Sequence, residues 1–403
     1  MINAAIKMDQ IHSDIRGPLF YEAMELQKKG EDVLKLNTGN PASFGFTMPD
    51  SIYTALQNRE HLGVGYCDFQ GMVDARNAIV EYHKGKGTYD IDENDVFIGN
   101  GVSEVVTFAL QALLDTNDEV LVPTPCYSLW SNSIYLCDAK PVFYTCDEKS
   151  DWVPDCNDIL SKITDRTRAI VIINPNNPTG SLYPDDILVK IADIARKKHL
   201  LIFSDEIYDR LVMDGLKHTS IAALAPDVPI ITMNGLSKSH CLCGFRCGWM
   251  VMSGPKHLMH EYRQAIVKLT SLRLCSNALA QLVIPAALND EQTPMSMVMP
   301  GGRIFEQREA TVEELGKIDG ISCVKNKAAF YVFPKLDRKK FNITDDKKFA
   351  HDLLYATKIL IVPGSGFEWR APDHFRIVML PQKDVLKNAV QRMGNFLDGY
   401  KQK

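Results

Sequence analysis

Residues 233–249 combine side chains whose types and spacing suit chemistry on an anionic ligand. The stretch begins with a short apolar run that predicts a buried strand, so Ser237 and Lys238 fall just beyond a strand end, where ligands bind in open α/β sheets. A lone lysine there would more often be a solvated surface charge. Here the Ser237 hydroxyl and Arg246 can both reach one anion, and nearby glycines let the backbone approach a ligand. The stretch therefore predicts an anion site with an amine beside it.

The same stretch follows a pattern of Ser-Lys, five residues, then Gly-x-Arg-x-Gly over 237–248. This pattern resembles the lysine segment of fold-type I aminotransferases, which bind pyridoxal phosphate, and the resemblance extends from about residue 11 to residue 400. It implies that Lys238 binds the cofactor aldehyde covalently. It also implies that the freed amine moves a proton, as base and then as acid, in a ping-pong transamination.

Two further motifs precede the lysine in the order of that family, Asn-Pro-Asn-Asn-Pro-Thr-Gly at 174–180 and Asp-Glu-Ile-Tyr at 205–208. Standing alone, the first would be a plain turn and Asp205 would more often cap a helix. The resemblance implies that Asp205 holds the proton on the pyridine nitrogen, and that Asn177 and Tyr208 donate to the ring's phenolate oxygen.

The glycine-rich turn 99–104 links a predicted strand to a predicted helix, with Ser103 as a good N-cap. Free amides at Gly101, Val102 and Ser103 would favour a phosphate, although such a turn alone is weak evidence. The dinucleotide-binding pattern Gly-x-Gly-x-x-Gly is absent. Ser237 and Arg246 would supply the remaining phosphate contacts.

Two tyrosines match aromatic positions of the family. Tyr127, after Pro-Thr-Pro-Cys at 123–126, occupies the place of a ring stacked on the pyridine, where an ordinary core aromatic is the alternative. Tyr66 resembles the tyrosine that reaches the phosphate of the neighbouring subunit. The resemblance therefore implies a homodimer with shared active sites.

Arg376 lies in the strand-like run 374–378, where most arginines point to solvent. The resemblance instead implies that Arg376 holds the substrate α-carboxylate, with Gly39 and Asn177 completing the site. A planar fork suits a carboxylate in a way that lysine cannot imitate.

Within the superfamily, Arg-Gly-Pro at 16–18 resembles a segment near the start of alanine aminotransferases, and 37–41, 65–68 and 272–275 also resemble that branch. We therefore expect exchange between alanine and 2-oxoglutarate. Arg16 would cap the pocket or meet the distal carboxylate of glutamate, unless Arg-Gly-Pro only leads into a helix. Ser13 stands where bacterial members tend to have a tyrosine, and the loop 239–243 differs from theirs, so we expect the side-chain pocket to be widened or reshaped.

Three alternatives remain. An aspartate or broad-range aminotransferase would differ only in the pocket, and a pyridoxal-phosphate C–S β-lyase would release ammonia and pyruvate without a second keto acid. A cofactor-binding transcriptional regulator would need a DNA-binding segment, for which the arm before residue 11 is too short.

Composition narrows the classes of protein further. A net charge of −5 gives no basic footprint for nucleic acid, and no apolar run approaches the ~20 residues that span a bilayer. Ten scattered cysteines without Cys-x-x-Cys and an N-terminus unlike a signal peptide favour the cytoplasm. The spacing of His240, Cys241, Cys243 and Cys247 is not a usual zinc spacing, so plain thiols and no metal are expected.

The 403 residues predict two domains. Apolar strands alternate with helices such as 103–114 and 186–198, which indicates an α/β fold with a mostly parallel sheet covered on both faces. Beyond about residue 294, short strands mixed with helices 347–357 and 385–397 predict a smaller α+β domain. We expect an N-terminal arm at 1–45 that joins this small domain, a large cofactor-binding domain at 46–293 and the small domain at 294–403. The strands are predicted at 95–98, 119–122, 141–144, 169–173, 200–204, 229–233, 248–252, 330–333, 359–362 and 375–378.

Overall fold

The computed structural model describes residues 2–57 and 59–403. Its strands are β1 Leu34–Lys35, β2 Val96–Asn100, β3 Glu119–Thr124, β4 Lys140–Asp147, β5 Val153–Pro154, β6 Thr167–Ile173, β7 Leu201–Asp205, β8 Ile230–Gly235, β9 Cys247–Ser253, β10 Ile321–Ser322, β11 Tyr331–Val332, β12 Lys335–Leu336, β13 Ile359–Leu360, β14 Val362–Pro363 and β15 Phe375–Val378. Its α-helices are α1 Pro18–Lys28, α2 Asp50–Leu56, α3 Val73–Gly85, α4 Val102–Leu113, α5 Leu129–Leu136, α6 Cys156–Ser161, α7 Asp185–Lys198, α8 Ile221–Leu224, α9 Leu236–Ser239, α10 His260–Arg273, α11 Ala278–Gln281, α12 Ile284–Asn289, α13 Gln292–Val298, α14 Arg303–Leu315, α15 Arg338–Phe341, α16 Asp346–Thr357 and α17 Lys383–Leu397. Among these described residues, no helix is both long and apolar enough to cross a membrane.

An eight-stranded sheet in the order β2-β9-β8-β7-β6-β3-β4-β5 organises the fold. β9 and β5 run antiparallel to their neighbours, and the remaining strands share one direction. Alternate residues of each strand face opposite sides. Phe203 therefore packs in the core with α4, α5 and α10, while Ile202 packs in the core with α7 and α8. The α/β fold with a mostly parallel, doubly covered sheet is confirmed.

The C-terminal part carries three small sheets, in the orders β11-β15-β14, β1-β13 and β10-β12. The strand predicted at 359–362 is wrong in extent, because the chain changes partners there: β13 pairs with β1, and β14 pairs with β15. The pairing of Leu34 with Ile359 brings the N-terminal segment onto this part of the molecule. The proposed domain boundaries stay a prediction.

The start of α4 also differs from expectation. The helix begins at Val102 after an N-cap at Gly101, and Ser103 lies in the first turn rather than at the cap. The Glu104 carboxylate accepts hydrogen bonds from the backbone and side-chain nitrogens of Asn100, at 2.8 and 2.9 Å. The Ser103 hydroxyl makes no capping hydrogen bond and instead accepts one from Arg246.

Candidate active site

A cavity of about 200 Å³ opens where the carboxyl ends of several strands of the large sheet meet. Ligands of open α/β sheets bind at this edge. Most of the predicted site residues line the cavity: Gly39, Val102, Ser103, Tyr127, Asn177, Asp205, Tyr208, Ser237, Lys238, Arg246 and Arg376. Segments far apart in the sequence therefore converge on one cavity.

Lys238 lies in α9, the short helix that follows β8. Its Nζ donates a 2.9 Å hydrogen bond to the Gly39 carbonyl and lies 3.9 Å from Cys243 Sγ. Burial alone would lower the pKa of the amine, but Tyr331, Cys243 and Tyr127 raise it, and the net pKa lies above its ordinary value. The amine is therefore held as a hydrogen-bond donor facing the cavity.

Asp205 ends β7 and is only 4% exposed. Its Oδ1 accepts a 3.3 Å hydrogen bond from the Ile207 amide, and its Oδ2 accepts one of 3.4 Å from Trp130 Nε1. Burial raises the pKa of this carboxyl to about 6, because these long hydrogen bonds and Lys238 offset only part of the desolvation. A buried carboxylate with so little compensation would gain from a cationic partner in the cavity.

A buried ion network lies behind the turn that carries Asp205 and Tyr208. The ligand-type atoms of Glu206, Asp209 and His218 lie within 4.8 Å of one another, as a metal site would require. However, Lys86 Nζ lies 2.7 Å from Asp209 Oδ2 and 3.2 Å from Glu206 Oε2. Burial would lower the pKa of Lys86, but Asp209 and its neighbours raise it far above its ordinary value. The lysine therefore supplies the cation that balances these two acids.

The turn into α4 and Arg246 lie together in the wall of the cavity. Arg246 Nη2 donates to Ser103 Oγ at 3.1 Å and to the Asn100 carbonyl at 3.3 Å. A Cβ on Gly101, whose φ is +85°, would lie 2.4 Å from Arg246 Nη2, so glycine is needed for this approach. Free helix amides, the helix dipole and a guanidinium together favour a bound phosphate.

Arg376 occupies β15 and is 1% exposed, so its alternative interpretation as a solvent-facing strand arginine is wrong. Its Nη1 donates a 2.9 Å hydrogen bond to Asn177 Oδ1, and its Nη2 donates to the Asn37 carbonyl. The guanidinium lies over the rings of Tyr331 and Phe367, at 4.4 and 4.6 Å. These aromatic rings hold it in the interior, where burial lowers its pKa below the ordinary value.

Arg376 Nε finds no hydrogen-bond partner among residues 2–57 and 59–403. A buried guanidinium with no carboxylate beside it is a costly arrangement. An anionic ligand in the cavity would relieve that cost.

Three predicted residues, Gly101, Tyr66 and Arg16, lie outside the cavity lining, although Gly101 adjoins Val102 and Arg246, which line it. Tyr66 is 84% exposed, and Arg16 is also exposed on the segment that follows the arm's first turn. Ile15, next to Arg16, lines the cavity instead. The predicted roles of Tyr66, which concern a neighbouring subunit, and of Arg16 stay predictions.

The sequence did not reveal several residues that complete the cavity. The Tyr331 hydroxyl lies 2.9 Å from the Tyr208 hydroxyl. A Cβ on Gly39 would lie 2.2 Å from the same Tyr331 hydroxyl. Tyr331, Thr38 and Ile15 line the cavity, and Trp130 holds Asp205. Tyr331 lies in a predicted strand, so the sequence shows which of its neighbours share a face with it. Nothing local indicated which of the two faces would meet the site.

The residues weighed as zinc ligands contact separate partners. His240 Nε2 lies 3.3 Å from the Asp290 carbonyl, and Cys241 Sγ lies 3.9 Å from Met297 Sδ. Cys243 Sγ lies 2.9 Å from the Ser237 carbonyl, and Cys247 is buried in β9.

Residues 31–393 match the model of the family described as aminotransferase class I and II. The chain is 48% identical to the glutamate-pyruvate aminotransferase AlaA of Escherichia coli K12 over 401 residues, which cover 100% of this chain and 99% of that protein. It is 46% identical to the alanine aminotransferase of Mycobacterium tuberculosis H37Rv, covering 98% of this chain and 92% of that protein. A crystal structure of an aminotransferase from Escherichia coli superposes with a TM-score of 0.98 at 48% identity, with all of both chains covered.

Proposed function

Since this chain belongs to the aminotransferase class I and II family, we propose that it uses pyridoxal phosphate to exchange an amino group between alanine and 2-oxoglutarate, giving pyruvate and glutamate. The observation that carries this proposal is the shared cavity of Lys238, Asp205 and Arg376. It brings together an amine, a buried acid and a buried carboxylate-binding fork. The glutamate-pyruvate exchange named for the relative from Escherichia coli supports the choice of substrates.

The residues present fit pyridoxal phosphate. Arg246, Ser237 and the first turn of α4 at Val102–Ser103 would hold the phosphate, and the Gly101 approach to Arg246 supports this assignment. Asp205, with its pKa raised to about 6 by burial, would hold the proton on the pyridine nitrogen. The ring-stacking position would fall to Tyr127. Asn177 and Tyr208 would donate to the phenolate oxygen.

When bound, the cofactor supplies an aldehyde that condenses with amines and a ring that withdraws electrons. The chain's own residues position and move protons around it. Arg376 and Asn177 would orient the substrate through its α-carboxylate, with the Gly39 backbone beside it. The Lys238 amine would take the proton from the substrate α-carbon and later return one, as a general base and then a general acid. Two such half-reactions give ping-pong exchange.

We further propose that a second copy of the chain covers the surface around Tyr66. Leu62, Val64, Leu274 and Leu279 are exposed there, by 44% to 87%. The two segments adjoin each other, because a Cβ on Gly63 would lie 2.4 Å from Leu279. Exposed apolar side chains in one cluster favour a protein interface. The ten free thiols suit a reducing compartment, and we propose the cytoplasm.

Light scattering during size-exclusion chromatography tests the assembly. We expect a dimer, and expect Leu274→Glu to shift it toward the monomer, since a charge would have to be buried. Leu272→Glu is the matched variant, because Leu272 is 83% exposed on the same segment. Whether it also shifts the dimer toward the monomer shows whether the interface extends to this residue. A wild-type protein that is monomeric at micromolar concentration would contradict the shared-site dimer.

The proposed reaction is tested by removing the amine. Lys238→Ala should abolish keto-acid formation from alanine and 2-oxoglutarate, because no other amine is assigned to the proton transfers. Borohydride reduction followed by mass spectrometry should place the cofactor on the peptide that contains Lys238. Lys190→Ala, at a surface lysine paired with Asp186, is the matched control and should behave like the wild type.

The choice of substrate needs a separate comparison. Alanine and aspartate are offered as donors with 2-oxoglutarate, and the resulting keto acids are measured. Faster exchange with aspartate would overturn the alanine preference and favour an aspartate or broad-range enzyme. Ammonia released from a donor without an acceptor would point to a β-lyase instead.

A further inference from the structure

Polar contacts hold the segment 5–16 against the rest of the molecule. Its 3-10 helices, Ile6–Gln10 and Asp14–Arg16, bury no side chain fully. Lys7 Nζ donates to the Leu136 carbonyl at 3.1 Å. The backbone of His12 exchanges two hydrogen bonds with the Asn132 side chain, at 3.2 and 2.6 Å. Apart from Ile15, which packs against an apolar cluster, polar contacts therefore hold this segment in place.

Glu368 joins this segment to two other parts of the fold. Its Oε1 accepts a 2.6 Å hydrogen bond from Ser131 Oγ of α5 and lies 3.2 Å from His12 Nε2. Its backbone carbonyl accepts a 2.7 Å hydrogen bond from Thr124 Oγ1 at the end of β3. With 13% of its side chain exposed, Glu368 is a largely buried carboxylate for which His12 is the nearby cationic partner.

The geometry around His12 favours the protonated imidazole. Nε2 faces Glu368 Oε1, and Nδ1 lies 3.4 Å from the Gln10 carbonyl. Both ring nitrogens thus face acceptors. A neutral imidazole can donate from only one nitrogen, whereas the imidazolium donates from both.

This contact lies three residues from the cavity wall. Ile15 lines the cavity and packs against the cluster of Trp152, Phe333 and Phe367. The Ile15 carbonyl accepts a 2.6 Å hydrogen bond from Asn37 Nδ2, and the Asn37 carbonyl accepts from Arg376. The placement of 12–15 is therefore connected to the arginine that would bind the substrate carboxylate.

We propose that His12 is a positioning residue that clamps the N-terminal segment onto Glu368, so that Ile15 closes the substrate pocket beside Arg376. The clamp acts on substrate binding and leaves the proton transfers at Lys238 unchanged. This inference rests on the proposed aminotransferase function for its kinetic consequences, but its structural part does not.

The clamp should depend on pH. The hydrogen bond and charge of Glu368 raise the pKa of His12 above 6.5, although partial burial opposes this. Asp14, itself 3.4 Å from Lys347, adds to the rise, while Ser131 and Asn132 of α5 are neutral and Tyr135 is the nearest titratable group of that helix. A raised pKa means that the ion pair is present below 6.5 and is lost as the pH rises through the raised value.

The test compares His12→Gln, which removes the charge, with His12→Arg, which keeps a cation at every pH. Glu368→Gln removes the partner, and His257→Gln, at an exposed histidine, is the matched control. KM and kcat for alanine and 2-oxoglutarate are measured with the holoenzyme at about pH 6 and about pH 9, either side of an ordinary histidine pKa. Trypsin cleavage after Lys7 and Arg16 is followed at about pH 6 as a readout independent of turnover.

We expect His12→Gln and Glu368→Gln to raise KM at about pH 6 by roughly 3- to 10-fold with kcat within about twofold, as loss of one partly buried ion pair allows. The wild type should approach their KM at about pH 9, and His12→Arg should keep a low KM at both. Trypsin should cut the two Gln variants faster than the control. Unchanged KM and unchanged cleavage in His12→Gln would overturn the clamp, as would a fall in kcat alone. Absence of transamination in every protein, with faster cleavage of the Gln variants, would reject the proposed function and leave the clamp standing.

Discussion

Above about pH 6, Asp205→Asn should stabilise the cofactor-free protein, and it should remove most of the activity. Asparagine has nearly the shape of aspartate but carries no charge, so the substitution isolates the effect of ionisation. The carboxyl is 4% exposed and has only two long hydrogen bonds, from the Ile207 amide and from Trp130. The folded protein therefore holds this carboxylate at a cost that the unfolded chain does not bear.

The size of the effect follows from the pKa. The ordinary value is 3.8 and burial raises that of Asp205 to about 6. A difference of about 2 pH units corresponds to ~3 kcal/mol of folding free energy. The folded state binds this proton more tightly than the unfolded chain does. Wild-type stability is consequently lost as the pH rises from about 4 to about 6, and the whole penalty is present above that range.

The asparagine avoids the penalty but turns its amide nitrogen toward one of the two N–H donors, which costs about 1 kcal/mol at every pH. The variant should therefore be less stable than the wild type by about 0.5 kcal/mol near pH 4, where the wild type already bears a small part of the penalty, and more stable by about 2 kcal/mol near pH 8.

Urea unfolding of both cofactor-free proteins, at one protein concentration across this pH range, gives the free energy of unfolding. The diagnostic quantity is the change in the difference between variant and wild type with pH, because any constant effect of the substitution cancels. A difference that does not vary between pH 4 and pH 8 would refute the assignment of a raised pKa to Asp205. Turnover of the reconstituted variant should fall by about 10²- to 10⁴-fold, since the amide cannot hold a ring proton as a carboxylate does.

Three further substitutions test other parts of the site. Lys86→Met should destabilise the protein by about 3–5 kcal/mol in urea unfolding, because it leaves two buried acids without their cation; an effect below about 1 kcal/mol would contradict that role. Gly101→Ala should weaken cofactor binding about tenfold or more in equilibrium titration, because its φ of +85° strains a side chain and its Cβ would meet the anion-binding arginine. Gly30→Ala, at a φ of +90° in open space, is its control and should leave cofactor affinity unchanged. Arg376→Lys should raise KM for amino and keto acids by about 10²-fold without altering cofactor affinity, since an ammonium cannot form the bidentate fork. Arg370→Lys, at the surface, is the control and should leave KM unchanged. Equal effects of the two substitutions on KM would count against the assignment of Arg376.

The large sheet was predictable because its strands are buried on both faces. Runs such as Ala169–Ile173 are continuous in apolar residues, and the cofactor-type motifs follow directly at the ends of these strands. Lys238 and Asp205 could be placed at one edge from sequence alone, since parallel strands bring their carboxyl ends together. Position along the chain fixed the edge of the sheet on which these residues lie.

Orientation and long-range contacts could not be predicted in the same way. Arg376 faces inward because Tyr331 and Phe367 pack on its guanidinium, and neither ring is its sequence neighbour. Ser103 was expected at a helix N-cap, but Arg246 engages its hydroxyl, which no local pattern shows. Nothing in the sequence around Lys86 indicates that it balances the charges of Glu206 and Asp209. Such residues acquire their roles only from tertiary packing, so propensity and spacing are silent about them.

The pairing of Leu34 with Ile359 has a consequence for biosynthesis. During translation the strand at Leu34–Lys35 leaves the ribosome before the large sheet does, yet its hydrogen-bonding partner follows only after that sheet. The backbone of this strand must stay solvated or shielded by a chaperone in the meantime. If translation terminated before β13 was made, β1 would therefore remain as an unpaired strand edge.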